Sequence, residues 1–450
     1  MTDSNKIPVD LIIEAQWIVP VVPRNHVLTR SAVVIQHEKI VEIASIESVK
    51  AKYTSTKTIV LNEHVLIPGL INLHAHVGMT LMRGLADDLP LMNWLQGHIW
   101  PAEQQLVSDR FVRDSALLGC AEMLAGGITC FNDMYFYPQA TADASLQAGM
   151  RAQLGLVVLE FPTNYASSAD DYIEKGLLAR DAWRGNPLLT ASLAPHAPYT
   201  VEDASFEKIV TYAEQLELGI HTHLHETQDE IEQSNQKYGV TPIKRLANLG
   251  VLGPNLTAAH CVQMDDDDIQ LLQAHGCHIA HCVSSNLKLA SGIAPVQKMI
   301  NAGINIGLGT DGAASNNRQD MFAEMRMSAL LSKGYTGDAS ATPAYQALEM
   351  ATINGASALG MSDKIGSIEV GKVADLTAVK LSDIENLPCF DPISHLVYVC
   401  GREHVSHVWV AGDLRFERSD LQAGSYANIE PSELKEIVLK WQAKLSQHKA

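Results

Sequence analysis

Eight short apolar segments recur between Leu70 and Gly312, and most are followed by a stretch with a helical pattern. They read "LINLHAH", "GITCFNDM", "RAQLGLVVLE", "LTASLAPHAP", "GIHTHLHE", "NLTAAHCV", "CHIAHCVSS" and "INIGLGTDG". The intervening stretches include "SDRFVRDSALLGCAEMLAGG", "SFEKIVTYAEQLELG" and "IAPVQKMINAG", which end in Gly as helix C-termini often do. Strands alternating with helices are the units of a parallel sheet. Eight such units predict an α/β fold, a (β/α)8 TIM-like barrel, with any active site at the C-terminal ends of its strands. In "MDDDDIQLLQAHG" four Asp stand at a helix start, where carboxylates complement the helix dipole, so a cation site is not needed to explain them.

The flanks have a different texture. "DLIIEAQWIVPV", "SAVVIQHEKIVEIA" and "KTIVLNEHVLIPG" before the barrel, and "GSIEVGKVADLTAVKL" and "VSHVWVAGDLRFE" after it, are Val- and Ile-rich and broken by turn residues. The expected organisation is a small β-sandwich from residues 1–65 plus 366–425, a barrel over 66–365, and a C-terminal helix over 426–450 packed on its own chain. A chain of 450 residues is long enough for this. Its net charge of −18 argues against nucleic acid or an anionic membrane as partner. No apolar run approaches the roughly 18 residues of a membrane span, and "MTDSNKIPVDLII" lacks the pattern of a signal peptide. Seven scattered cysteines without a Cys-x-x-Cys pair read as reduced thiols in a cytoplasm.

The ends of the apolar segments carry polar residues. His74 and His76 end the first segment in "LIPGLINLHAHVGM" and, two apart in a strand, share one face. The fourth contributes His196, and the fifth His221, His223, His225 and then Glu226. The sixth contributes His260, the seventh His281 and the eighth Asp311. Each alone suits a hydrogen-bonded structural role. Together they are hard to satisfy without water inside a barrel. One divalent metal with an open coordination position accounts for them, and three His with one Asp suit Zn²⁺, with Fe²⁺ as the alternative. His74, His76, one fifth-segment His and Asp311 are the candidate ligands. Alternation does not choose among His221, His223 and His225, since all three share a face. A metal of this kind lowers the pKa of bound water. Glu226 is the candidate proton donor to the leaving side, Asp311 the group that takes the water's proton, and His260 the residue that orients the nucleophile. Other signatures fail. "HETQD" is not His-Glu-x-x-His, the Pro-Cys-x-x-Cys pattern of small nucleobase deaminases is missing, and no Gly-rich Lys-Ser/Thr phosphate loop occurs.

With these motifs in this order the chain resembles the amidohydrolase superfamily over nearly its whole length. The resemblance runs from "LIPGLINLHAHVGMTLMRGLADDLPLMNWL" through "APHAPYT", "HTHLHET", "AAHCV" and "HCVSSNLKLASGIAPV" to "GLGTDGAASNN" and "KIGSIEVGKVADLTAVKL". Within it the chain looks most like the 5-methylthioadenosine/S-adenosylhomocysteine deaminases and the related chlorohydrolase-type enzymes. The resemblance implies a barrel flanked by a composite β-sandwich and holding one metal. It selects His223 as the fifth-strand ligand, makes Glu226 the proton shuttle and sets His260 beside the attacking hydroxide. It assigns His196 and Glu103, in "WPAEQQ", to the nucleoside, with Glu103 reaching the ribose hydroxyls. The implied reaction is deamination of an adenine nucleoside, foremost 5'-methylthioadenosine to 5'-methylthioinosine, with S-adenosylhomocysteine or adenosine as further substrates. The alternative keeps the chemistry and acts on guanine, a pterin or an s-triazine. The implied partner is a small-molecule nucleoside, and a homo-oligomer is compatible with the sequence. One departure bears on the substrate. Some members carry arginines after the third strand, where this chain reads "VVLEFPTNYASSADDYIEK" and has none. An amino-acid carboxylate is naturally gripped by Arg, so the departure favours the apolar methylthio group. Met79, Met82 and Trp94 are available to surround it, and each also suits ordinary core packing.

Overall fold

The eight apolar segments form the eight parallel strands of one ring in a computed structural model that describes residues 6–418 and 424–447. The strands are Leu70–Ala75, Ile128–Tyr135, Arg151–Val158, Leu189–Pro195, Gly219–Leu224, Leu256–His260, His278–His281 and Asn305–Leu308, hydrogen-bonded in sequence order. The first and eighth meet without a regular ladder. The Asp311 N–H donates to the His74 carbonyl at 2.9 Å, and the Thr310 N–H donates to Asn72 Oδ1 at 2.9 Å. Gly309 permits this approach, because a Cβ there would lie 2.7 Å from His74 Cβ and 2.8 Å from its backbone nitrogen.

Helices form where the pattern predicts them. Ser108 caps helix Asp109–Ala125 by accepting from the Phe111 N–H. The four-Asp run opens helix Asp266–Ala274 with a capping box between Asp265 and Asp268, so these carboxylates serve the helix start. Several strands stop earlier than their apolar pattern suggests. "CHIAHCVSS" leaves the sheet after His281 and turns into helix Val283–Lys288. His76, His196, His225 and Asp311 all lie just past the end of a ladder. Apolar side chains continue to cover the barrel rim after the backbone has left the sheet, and composition does not mark that point.

The flanking segments build a second sheet of eight strands. N-terminal strands Ile7–Ile18, Leu28–Gln36, Lys39–Ser45 and Tyr53–Pro68 join Leu376–Lys380, Val405–Val410, Asp413–Glu417 and Ser425–Tyr426 from the C-terminal side. The two halves meet where Leu376–Lys380 pairs antiparallel with Tyr53–Pro68. Ile13, Val33, Leu66, Leu376 and Trp409 share its core. A buried ion pair, Arg151 Nε to Asp375 Oδ2 at 2.8 Å, ties this sheet to the third barrel strand. Helix Pro431–Ser446 lies on helix Asp109–Ala125, where Trp441 Nε1–H donates to Asp114 at 2.8 Å and its ring meets Phe111 edge-on. Residues 1–5, 419–423 and 448–450, at the ends of the segments expected to form sandwich and helix, lie outside the described residues. Among the described residues no helix is long and apolar enough to cross a membrane.

Candidate active site

The C-terminal strand ends surround a pocket of about 480 Å³. His76, Glu103, His196, His223, Glu226, His260 and Asp311 line it. His74 lies directly behind, fully buried, with Nε2 3.3 Å from Asp311 Oδ1. All eight site residues expected from sequence therefore converge on one place.

The imidazoles are held by their far nitrogens. His76 Nδ1–H donates to the Met134 carbonyl at 2.5 Å, and His223 Nδ1–H donates to the His196 carbonyl at 2.6 Å. A carbonyl only accepts, so each Nδ1 carries a proton and each Nε2 points inward. These two Nε2 atoms are 3.2 Å apart. Asp311 Oδ1 lies 3.1 Å from His76 Nε2. Two imidazole nitrogens and a carboxylate oxygen this close call for positive charge between them, which a proton or a metal ion supplies. His74, His223, His260 and Asp311 each offer a ligand atom, all within 4.8 Å of one another. His74 Nε2 is buried without a hydrogen-bond partner. The donor set thus fits a divalent metal with nitrogen and oxygen ligands.

The electrostatics of His74 and His223 agree with that reading. Burial pushes His74 down to about 4 and His223 well below the ordinary range, which keeps both rings neutral as ligands must be. Burial also opposes charge on His76, but Asp311 beside it prevails and lifts it to about 9, so its Nε2 carries a proton that a bound metal would displace. Asp311 is held well below its usual range by His74 and His76 against the cost of its burial. Its Oδ2 accepts from Ser285 Oγ at 2.5 Å and Ser315 Oγ at 2.8 Å, which leaves Oδ1 facing the histidines.

Glu226 enters from the turn after the fifth strand. Burial raises its carboxyl pKa. Its Oε2 is 3.8 Å from His260 Nε2, and its Oε1 accepts from Ser291 at 3.4 Å. His260 Nδ1–H donates to Asn286 Oδ1 at 2.8 Å, so its Nε2 faces the pocket as an acceptor. Glu103, on helix Trp100–Leu106, accepts from the Tyr135 hydroxyl at 2.7 Å, and burial raises it to about 7.

Three histidines at the strand ends do other work. His221 sits one layer deeper, its Nε2 2.8 Å from His74 Nδ1, where it accepts that proton once His74 Nε2 is a ligand. His225 has φ +53° and turns away, bonding the Gln263 carbonyl and the Ile243 N–H. His281 lines a separate cavity with Met264 and Ser328. Sequence reasoning also missed Tyr135, Ser285, Ser315 and Asn286. Only "HCVSSN" offered a signal, as two hydroxyls and an amide following a strand-end His. Outward from the histidines the pocket is apolar, with Met79, Trp94, Trp100 and Phe161 in its wall. Met82 is not in the wall; it is buried in the core. Among the described residues, no Lys or Arg lines the pocket.

Gly309→Ala is expected to press on His74, since both atoms a Cβ would strike are close to rigid backbone. Metal affinity should fall about 10- to 100-fold, as when a ligand loses its support. Chelator competition measures it, and unchanged affinity would mean that the eighth strand yields instead.

The sequence matches the amidohydrolase family over residues 65–415. It is 45% identical over 442 residues to a 5-methylthioadenosine/S-adenosylhomocysteine deaminase of Teredinibacter turnerae, covering 98% of this chain and 99% of that one. It is 43% identical over 394 residues to a 5'-deoxyadenosine deaminase of Methanosarcina barkeri, covering 86% and 88%. The crystal structure of an adenosine deaminase from Xanthomonas campestris with bound zinc superposes with a TM-score of 0.96 at 42% identity, covering 98% of this chain and 100% of that one. The chain belongs to the amidohydrolase family, among its 5-methylthioadenosine/S-adenosylhomocysteine deaminase members.

Proposed function

We propose that the chain hydrolyses the exocyclic amine of an adenine nucleoside, converting 5'-methylthioadenosine to 5'-methylthioinosine and ammonia, with adenosine and S-adenosylhomocysteine as further substrates. The observation that carries this reading is one buried pocket that combines Glu226 and Asp311 at a histidine cluster with an apolar, cation-free wall. Relatives named as deaminases of 5'-modified adenosines support it.

His74, His76, His223 and Asp311 would hold the metal, assigned as zinc with iron(II) as the alternative. Such an ion supplies a water acid enough to lose its proton near neutral pH. Asp311 would take that proton, its Oδ2 held by the two serine hydroxyls. His260, its tautomer set by Asn286, accepts from the water and aligns it with the purine C6. Glu226 protonates the adjacent ring nitrogen as the C6–O bond forms. Left ionised, it takes the proton of the new C6 hydroxyl and hands it to the departing amine as the C6–N bond breaks, and the proton held by Asp311 then returns it to its acid form. A carboxyl whose pKa burial has raised is suited to donate. Glu103 holds the ribose hydroxyls, and His196 lies against the nucleoside. The 5' substituent rests among Met79, Trp94 and Phe161. Seven free thiols suit the reducing cytoplasm in which we place the enzyme.

The test offers 5'-methylthioadenosine, S-adenosylhomocysteine, adenosine and guanine to the metal-loaded protein and follows ammonia and the adenine-to-hypoxanthine absorbance change. A carboxylate with no cationic partner is costly to desolvate. kcat/KM for 5'-methylthioadenosine should therefore exceed that for S-adenosylhomocysteine at least ~10-fold, a difference of about 1.4 kcal/mol. Equal use of the two would overturn the substrate assignment, and turnover of guanine alone would overturn the nucleoside reading.

A further inference from the structure

Glu230 is a buried carboxylate that the proposed chemistry does not use. It stands at the third position of helix Gln228–Tyr238, whose cap is Thr227. The pattern Thr-x-x-Glu ordinarily marks a capping box, in which the Glu side chain returns to the N–H of the cap residue itself. Here only half of that box exists. Thr227 Oγ1 accepts from the Glu230 N–H at 3.4 Å, but the Glu230 side chain passes the cap by. Its Oε1 accepts from the His225 N–H at 3.1 Å and its Oε2 from the Glu226 N–H at 2.9 Å. Both oxygens are thus spent on two successive backbone amides, and the second belongs to the residue that carries the proton.

The surroundings show why a carboxylate is needed there. His225 adopts φ +53°, a left-handed conformation that a non-glycine residue holds only under constraint. This kink falls just past the end of the fifth strand and immediately before Glu226, which lines the pocket. From the other side the His225 ring bonds the Gln263 carbonyl and the Ile243 N–H. Glu230 fixes the backbone of the kink itself. It is 3% exposed; burial raises its pKa, and the two amide donors oppose that shift by favouring the ionised form. Burying a carboxyl is costly, and a helix start alone would be served as well by an exposed one.

We propose that Glu230 is a positioning residue for Glu226: by clamping the His225 and Glu226 amides it sets the direction from which Glu226 transfers its proton. This rests on the reading of Glu226 as the proton carrier. Glu230→Gln keeps the size but leaves one acceptor oxygen for two N–H groups and turns an amide N–H₂ toward the other. The experiment compares Glu230→Gln and Glu226→Gln with wild type, all metal-loaded, on 5'-methylthioadenosine and on its 6-chloro analogue. Chloride departs as an anion and needs no proton, whereas the amine does.

For Glu230→Gln we expect kcat on the amine substrate to fall about 10- to 100-fold. KM should stay within about twofold, since no contact to the ribose or 5' group changes. The deficit on the 6-chloro analogue should be distinctly smaller, with metal content and thermal midpoint close to wild type. Wild-type kcat, or an equal loss on both substrates, would overturn the proposal while an inactive Glu226→Gln left the proton-carrier reading standing. If Glu226→Gln itself turns over normally, that reading falls and takes this proposal with it. Should Glu230→Gln not fold, Glu230→Asp serves the same comparison: its shorter carboxylate reaches fewer of the two amides, and the same preferential loss on the amine substrate is expected.

Discussion

Glu226→Gln should retain its metal and lose about 10³-fold or more in kcat, within the range of 10²- to 10⁴-fold that a positioned acid–base group contributes. The side chain keeps its shape and its contact with Ser291, whose hydroxyl meets Oε1 at 3.4 Å. What is removed is the transferable proton. Both halves of the proposed reaction need it, first at the ring nitrogen and then at the departing amine. Among the described residues, the two other carboxyls that line the pocket are engaged elsewhere. Asp311 is engaged by two serines and two histidines, and Glu103 is bonded to Tyr135 on helix Trp100–Leu106. Steady-state kinetics with elemental analysis of the same sample make the measurement. A variant that keeps its metal and more than about a tenth of wild-type turnover would remove Glu226 from the role.

Stripping the metal should abolish turnover altogether and also weaken the fold. Two inward Nε2 atoms 3.2 Å apart, with a carboxylate oxygen 3.1 Å from one of them, lose the ion that would join them. At free metal a thousandfold above Kd, binding to the folded state alone contributes about 4 kcal/mol of apparent stability. Thermal unfolding with and without chelator reads this directly, and zinc added back should restore both midpoint and activity. Full activity of protein shown to be metal-free would overturn the metal reading. Recovery with iron(II) but not with zinc would move the assignment to iron.

Much of this molecule is legible in the sequence because its determinants are local. The strand-and-helix alternation from Leu70 to Gly312 is a matter of residue period, and the barrel follows once eight units are present. Polar residues at strand ends are conspicuous because apolar runs surround them. The four-Asp helix start is readable for the same reason: its partners lie within three residues. The missing arginines after the third strand are likewise visible as plain composition, and among the described residues no Lys or Arg lines the pocket.

What the sequence leaves open is depth and direction. His221, His223 and His225 share a strand face in any reading that stops at alternation. Yet His221 lies behind His74, His223 faces Asp311, and His225 turns away at φ +53°. Period two assigns a face, but it does not say where the ladder ends or how far a side chain sits below the rim. Met79 and Met82 divide in the same way, one in the pocket wall and one in the core. The groups that orient the inward imidazoles are backbone carbonyls, those of Met134 and His196, and every residue has a carbonyl. No residue type marks them. The amino-acid sequence by itself determined which chemistry-bearing groups reach one end of the barrel. Only the tertiary structure decided which nitrogen of each ring faces inward, because that depends on the position of a neighbouring strand's backbone.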